Sequence, residues 1–191
     1  MNLENISEQD LLDGCRRKER RIQELLYKKY ARKMLGLCLS YAKNNVTAKE
    51  ILQEGFIKVF NNINVFEGKG SLEGWIRRIM VNTAINHYRQ RAARFNFVSL
   101  DEILFISAEQ IEDEILTVVT DKDLLLLIQQ LPDKCRLVLN LYALEGYSHE
   151  NIAKELSITV GTSKSQLNYA RKKLKEKINL VYNGFKIQIA Q

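Results

Sequence analysis

Proline is almost missing from this chain: Pro132 is the only one in 191 residues, alongside just nine glycines. Turn-rich sheet proteins need both residue types at their corners, so the shortage favours long, uninterrupted helices. Cysteine is scarce as well. Cys15, Cys38 and Cys135 stand far apart without Cys-x-x-Cys spacing, and the two histidines, His87 and His149, are equally scattered. Such spacing gives a zinc site no support and reads as incidental or buried thiols in a reducing compartment. No Glu-x-x-His pair of the kind that builds metal sites in helical bundles occurs, so no metal, cofactor or catalytic residue is expected and the chain does not read as an enzyme. The longest aliphatic run, Leu124 to Ile128, is far too short to span a bilayer. Met1-Asn2-Leu3-Glu4 has neither the basic start nor the apolar stretch of a signal peptide, so a cytoplasmic location is expected.

Hydrophobic residues are plentiful, at 46%, enough for real cores. The net charge of +6 is unevenly spread. Residues 1–95 hold 18 Lys/Arg against 10 Asp/Glu, residues 96–130 hold one against eight, and residues 131–191 hold ten against five. Two basic blocks joined by an acidic connector suggest two separate surfaces for polyanions. Lys-rich helices that are merely soluble would give the same totals, so charge alone does not decide.

Helical periodicity supplies the organisation. Apolar residues recur at helical spacing from Ile22 to Tyr41. Thr47-Ala-Lys-Glu50 reads as a capping box that opens a second helix to about Phe60, able to bury Ile51, Leu52, Phe56, Val59 and Phe60. Glu67-Gly68-Lys69-Gly70-Ser71 marks a loop, and a third helix is expected from Leu72 to about Arg91. Periodicity weakens over residues 93–120, which read as a tether with a short helix near Ala108–Leu116. Order resumes at Asp121. Leu124–Ile128 forms one helix, and Pro132 suits the first turn of the next. That helix carries Leu137, Val138, Leu141 and Leu144 and is stopped by Gly146. Ser148 caps a short helix to Leu156, and a last helix runs from about Val160 to Ile178, before a loose tail from Asn183. The fold expected is all-α: a helical domain over 1–95, an acidic linker over 96–120, a second helical domain over 121–182 and a tail over 183–191.

Ser148 to Val160 has helix-turn-helix grammar. Ile152, Ala153, Leu156, Ile158 and Val160 supply the small core between two crossing helices. Ser157 holds the turn position usually given to Gly, at a cost of roughly 1 kcal/mol if it is left-handed. At about 100° per residue, the next helix turns Leu167, Ala170, Leu174 and Ile178 inward. Lys164, Asn168, Arg171 and Lys175 face outward, flanked by Ser165, Tyr169 and Lys172. Amide, hydroxyl and cationic groups on an outer face suit the major groove, where Asn pairs with adenine edges and Lys/Arg reach guanine or phosphate.

On the helix after the loop, Trp75, Arg78, Ile79, Asn82, Asn86 and Arg89 share one angular sector. Buried faces rarely hold two Asn and two Arg, and solvated faces rarely hold Trp. Such a mixture fits unstacked bases: rings stack, amides read base edges and Arg holds phosphate. Phe66 and the loop glycines could complete a pocket for an extruded base. Alternatively, Trp75 and Ile79 belong to the core and the Asn residues are simply exposed. A stand-alone helix-turn-helix regulator and a protein-only adaptor also stay open at this point.

Taken together, Ala48-KEILQEGFIKVF-Asn61 and Gly74-WIRRIMVNTAINHYRQR-Ala92, followed by Leu131-PDKCRLVLNLYALEGYSHENIAKELSITVGTSKSQLNYARKK-Leu174, resemble the extracytoplasmic-function sigma factors of the sigma-70 family. A helix-turn-helix alone is weakly specific, whereas both blocks in this order with an acidic spacer are highly specific. The resemblance implies sigma region two, then sigma region four, with region three absent. It implies docking of Leu52, Gln53, Glu54 and Ile57 on the clamp coiled coil of bacterial core RNA polymerase, with the polymerase flap as a further contact. It implies capture of non-template −10 bases by Asn62, Phe66, Asn82 and Asn86, beside Trp75, Arg78 and Arg89. It implies reading of the −35 duplex by Lys164, Ser165, Asn168, Tyr169, Arg171 and Lys172. Tyr142 replaces an Arg commonly used at the end of the preceding helix. The family further implies an acidic connector in the RNA channel and an anti-sigma factor that masks both domains, membrane-anchored or free. No small-molecule substrate is implied.

Overall fold

A computed structural model describes residues 6–94 and 120–189, with the backbone alone at residues 94, 121 and 181–189. The chain divides into two compact units, residues 1–91 and 92–191. No strand occurs among the described residues. The short helix expected near Ala108–Leu116 lies outside them, as does the tether apart from Ala93 and Arg94, which continue the last helix of the first unit, and Thr120.

The first unit consists of α1 (Glu8–Arg16), α2 (Arg20–Tyr41), α3 (Asn45–Asn62), a 3-10 turn (Ile63–Val65) and α4 (Leu72–Arg94). Side-chain caps start three of these helices. Ser7 Oγ accepts from Asp10 N at 3.0 Å, Asn44 Oδ1 from Thr47 N at 2.9 Å and Ser71 Oγ from Gly74 N at 3.1 Å. A cap of this kind contributes about 1 kcal/mol by giving a partner to an amide that lacks one within the helix. The expected capping box is therefore corrected. Asn44 caps α3, and the helix begins before Thr47, because an Asn carbonyl is as good a cap as a Thr hydroxyl.

Leu11, Leu26, Met34, Ile51, Val59, Leu72, Ile76 and Met80 are almost wholly buried and form the core of this unit. The contact between α3 and α4 is close at Gly55: a Cβ there would lie 2.2 Å from Met80 Sδ. Helix α1 escaped the reading of periodicity. Leu11, Leu12 and Cys15 are buried along it, and it ties down the loop before α4. Arg16 Nη2 donates to the Phe66 carbonyl at 2.8 Å, and Glu8 Oε1 accepts from Leu72 N at 3.4 Å.

The second unit consists of α5 (Asp121–Gln129), α6 (Asp133–Ala143), α7 (His149–Leu156) and α8 (Val160–Ile189). Leu137, Val138, Leu141, Ile152, Leu167 and Ala170 form its centre. Arg136 is 3% exposed and donates to the carbonyls of Gln129 at 3.0 Å and Leu131 at 2.8 Å, while also pairing with Asp133. A buried guanidinium is tolerated because these acceptors replace its water. Helix α6 closes at Ala143, ahead of Gly146 at φ +69°, so Leu144, placed on the helix by its spacing, caps it and is half exposed. Pro132 occupies the N-cap, one position before the first turn. The last helix runs on to Ile189, past the expected end at Ile178, and the backbone at Asn183, where the tail was expected to start, is helical.

Ser157 adopts φ 54°, ψ 47°, the left-handed turn expected between the two crossing helices. A Cβ in this region is strained, and glycine is not. Ser157→Gly is expected to stabilise the second unit by about 0.5–1 kcal/mol, after allowing for the extra freedom glycine gives the unfolded chain. Thermal melts of the two forms check this, and an unchanged or lowered midpoint counts against it.

All three cysteines are buried and free. Burial pushes the thiols of Cys15 and Cys135 up to about 11 and that of Cys38 up to about 12, so they stay protonated and unreactive at neutral pH. The Cys135 thiol donates to Gln166 Oε1 at 2.7 Å.

Candidate nucleic-acid interface

In the first unit, α4 turns Leu72, Ile76, Met80, Val81, Ala84 and Ile85 inward. The opposite side carries Arg78, Asn82, Asn86 and Arg89, all exposed, with Trp75 and Ile79 half-buried at its inner edge. Asn82 and Asn86 lie one helical turn apart, so their amides project from the same side. Arg89 Nη1 donates to Asn86 Oδ1 at 3.3 Å. Asn62 is exposed near the end of α3, where its Nδ2 donates to the Lys58 carbonyl at 2.8 Å.

Phe66 departs from expectation. It is 4% exposed, its ring 5.4 Å from that of Trp75 and tilted by 46°. With its carbonyl held by Arg16, the ring packs inward against Trp75, whereas the resemblance implied a side chain open to an unstacked base. A short apolar stretch next to glycines looks the same in sequence whether it folds in or out. Contacts distant in sequence, among them the bond from Arg16 fifty residues away, accompany the inward direction.

A second feature of this unit lies between α2 and α3. An open cavity of about 460 Å³ is lined by Tyr27, Leu35, Leu52, Gln53, Phe56 and Ile57, among others. Tyr27 is 42% and Ile57 53% exposed, large apolar side chains at the mouth of an apolar groove. The rings of Tyr27 and Phe56 lie 4.7 Å apart. Of the four residues expected to dock, Gln53 and Ile57 are accessible, and Glu54 is half-buried and paired with Lys58 at 2.6 Å. Leu52 is 6% exposed and forms part of the floor.

In the second unit, α7 and α8 cross with Ile152 and Ala153 buried between them, while Leu156, Ile158 and Val160 are only half-buried. Along α8, Ser163, Leu167, Ala170 and Ile178 face inward with Leu174 half-buried. Thr159 Oγ1 caps its start by accepting from Thr162 N at 3.0 Å. Lys164, Arg171, Lys172 and Lys175 are exposed, and Ser165, Asn168 and Tyr169 half-buried. Ser165 Oγ already donates to the Thr162 carbonyl at 3.0 Å, which leaves its lone pairs for an outside donor. Four exposed cations on one helix make a field that attracts phosphate.

Two residues of this unit went unmarked as site residues by periodicity. The Tyr142 and His149 rings stack with centroids 4.9 Å apart and planes 24° from parallel. The Arg171 guanidinium lies over the Tyr142 ring, 5.6 Å from its centroid. His149 Nδ1 shares a hydrogen bond with Ser163 Oγ at 2.9 Å. Burial, then the nearby Lys164 charge, hold the His149 imidazole below its usual value; Arg171 acts in the same sense and Glu150 opposes them. No sequence signal pairs an aromatic at the end of one helix with a histidine at the start of the next.

Among the described residues no group of three or more potential ligands could hold a metal ion, and no helix is long and apolar enough to cross a membrane.

Residues 26–94 match the family model described as Sigma-70 region 2, and residues 121–174 match the one described as Sigma-70, region 4. The RNA polymerase sigma-H factor of Pseudomonas aeruginosa is 32% identical over 178 residues, covering 86% of this chain and 90% of that protein. The ECF RNA polymerase sigma-E factor of Haemophilus influenzae is 29% identical over 187 residues, covering 92% and 97%. Among solved structures, a sigma factor of Bartonella quintana, in complex with an anti-sigma factor, aligns over 80% of this chain and 94% of its own. Its TM-score is 0.48 at 20% identity.

Proposed function

Because the chain belongs to the sigma-70 family, among its extracytoplasmic-function sigma factors, we propose a division of labour between its two units that assigns each face described above. The protein is an alternative sigma factor that directs RNA polymerase to promoters for transcription initiation. Residues 1–95 act as region two. The groove between α2 and α3 receives the clamp coiled coil of core polymerase, with Ile57 and Gln53 meeting the partner and Glu54 at the rim. The exposed face of α4 captures non-template bases of the −10 element: Asn82 and Asn86 read base edges, Trp75 offers a stacking surface, and Arg78 and Arg89 hold the backbone. Asn62 contributes from the end of α3.

Residues 121–182 act as region four, in which Lys164, Ser165, Asn168, Tyr169, Arg171 and Lys172 meet the −35 duplex while the unit rests on the polymerase flap. The acidic residues 96–120 span the two, in the channel that RNA later fills. Opening of the strands needs no covalent chemistry in this scheme. Capturing a flipped base offsets unstacking, which costs on the order of a few kcal/mol per base. A cytoplasmic setting follows from these partners, and control falls to an anti-sigma factor that covers the same faces, membrane-anchored or free.

The observation that carries the reading is the joint exposure of Asn82, Asn86, Arg78 and Arg89 on one side of α4, with Trp75 at its edge. Amides and cations there have no core to serve. Reconstitution with core polymerase, followed by sequencing of transcript start sites, tests it. Transcripts should begin downstream of one shared pair of promoter elements, and the chain alone should not protect duplex DNA. Protection without polymerase would instead mark a stand-alone repressor or activator. In the same assay on a promoter library, Lys164→Ala and Asn168→Ala should each shift −35 preference by about fivefold or more at one base pair. An unchanged preference profile removes these residues from the reading.

A further inference from the structure

Three side chains from three helices of the second unit meet at one edge of α8: Tyr142 in the last turn of α6, His149 at the first position of α7, and Arg171. The rings of Tyr142 and His149 stack at 4.9 Å, the guanidinium of Arg171 sits 5.6 Å from the Tyr142 centroid, and His149 is anchored at 2.9 Å to Ser163. Ser163 is itself fully buried, at 0% exposure. The chain of contacts thus runs from the core of the helix-turn-helix to an exposed cation.

We propose that Tyr142, seated on His149, is a positioning residue that fixes the Arg171 guanidinium in the orientation in which it meets the −35 duplex, and so sets base preference there. This rests on the reading of the second unit as the −35 reader. An unsupported arginine on an exposed helix face samples many rotamers, all but one of which must be given up on binding. A ring beneath the guanidinium removes most of them in advance, since its negative face holds the cation from one side and the planar fork keeps its donors aimed outward. Stacking on His149, itself bonded to Ser163, holds the ring from its other side. The groups facing this imidazole are Tyr142, Ser163, Lys164, Glu150 and Arg171, and burial with the Lys164 charge favours its neutral form, which does not repel the guanidinium. Tyr142 is 37% exposed, so replacing it should cost the fold less than replacing a core side chain.

The test uses holoenzyme reconstituted with the full chain and promoter fragments carrying single −35 substitutions. Arg171→Ala should weaken binding and abolish preference at one base pair. Tyr142→Leu and Tyr142→Gln should each weaken binding by about two- to fivefold and flatten preference at that same base pair, while Tyr142→Phe keeps the parental profile. The double variant Tyr142→Leu/Arg171→Ala should match Arg171→Ala alone, because Tyr142 acts only through the guanidinium. Additive losses would mean that Tyr142 contacts DNA on its own account and overturn the positioning role. Unchanged or tighter binding by Tyr142→Leu overturns it too, the latter showing that the ring holds Arg171 away from DNA. If Arg171→Ala alone is silent while Lys164→Ala and Asn168→Ala are not, the proposal fails and the −35 reading stands. If all three are silent, the reading itself fails.

Discussion

Asn82→Ala is expected to lower open-complex formation by about tenfold to a hundredfold while leaving affinity for core polymerase unchanged. The magnitude follows from one well-made amide–base contact, roughly 1–3 kcal/mol, at about 1.4 kcal/mol per factor of ten. Selectivity follows from location. Asn82 is exposed on α4, so its loss should cost the fold little, and it is not among the residues that line the groove between α2 and α3. Permanganate footprinting of the melted strand, set beside fluorescence titration of core polymerase, separates the two steps. Asn86→Ala should act in the same direction, and it also removes an acceptor of Arg89. Equal loss of melting and of polymerase affinity by Asn82→Ala would place this face at the wrong interface.

Ile57→Glu is expected to act at the opposite step. The side chain stands 53% exposed at the mouth of an apolar groove, where a partner helix would remove it from water. Central apolar anchors of an interface commonly carry more than 2 kcal/mol, and a carboxylate trapped there without a partner costs more again. Affinity for core polymerase should therefore fall by more than about thirtyfold. Stability should hold to within about 0.5 kcal/mol, since the substitution is at the surface. A melt and a titration on the same preparation decide it. Parental affinity in Ile57→Glu would move the docking site away from this groove.

These two expectations depend on unequal shares of sequence and structure. The α4 face was legible in the sequence because Asn82, Asn86, Arg78 and Arg89 repeat at helical spacing, and neighbours three or four residues apart report one another directly. Ile57 was reached by resemblance, but the groove that gives it meaning was not. Tyr27 and Leu35 come from another helix, and nothing in the order of residues says which side of α2 meets α3. Helix α1 was overlooked although Ser7 followed by Leu11, Leu12 and Cys15 carries a cap and an apolar spacing. Nine residues give too few turns for a periodicity to stand out, and its stability comes from packing rather than propensity.

By itself the sequence determined an all-helical chain, a helix-turn-helix with a strained serine in its turn, and two helix faces bearing amides and cations, since each depends on contacts within one or two turns. Tertiary structure alone decided that Phe66 folds inward against Trp75 and that Tyr142, His149 and Arg171 stand in one stack. Those outcomes join residues far apart along the chain, and their free energy exists only once separate helices have packed, so no local pattern can record it.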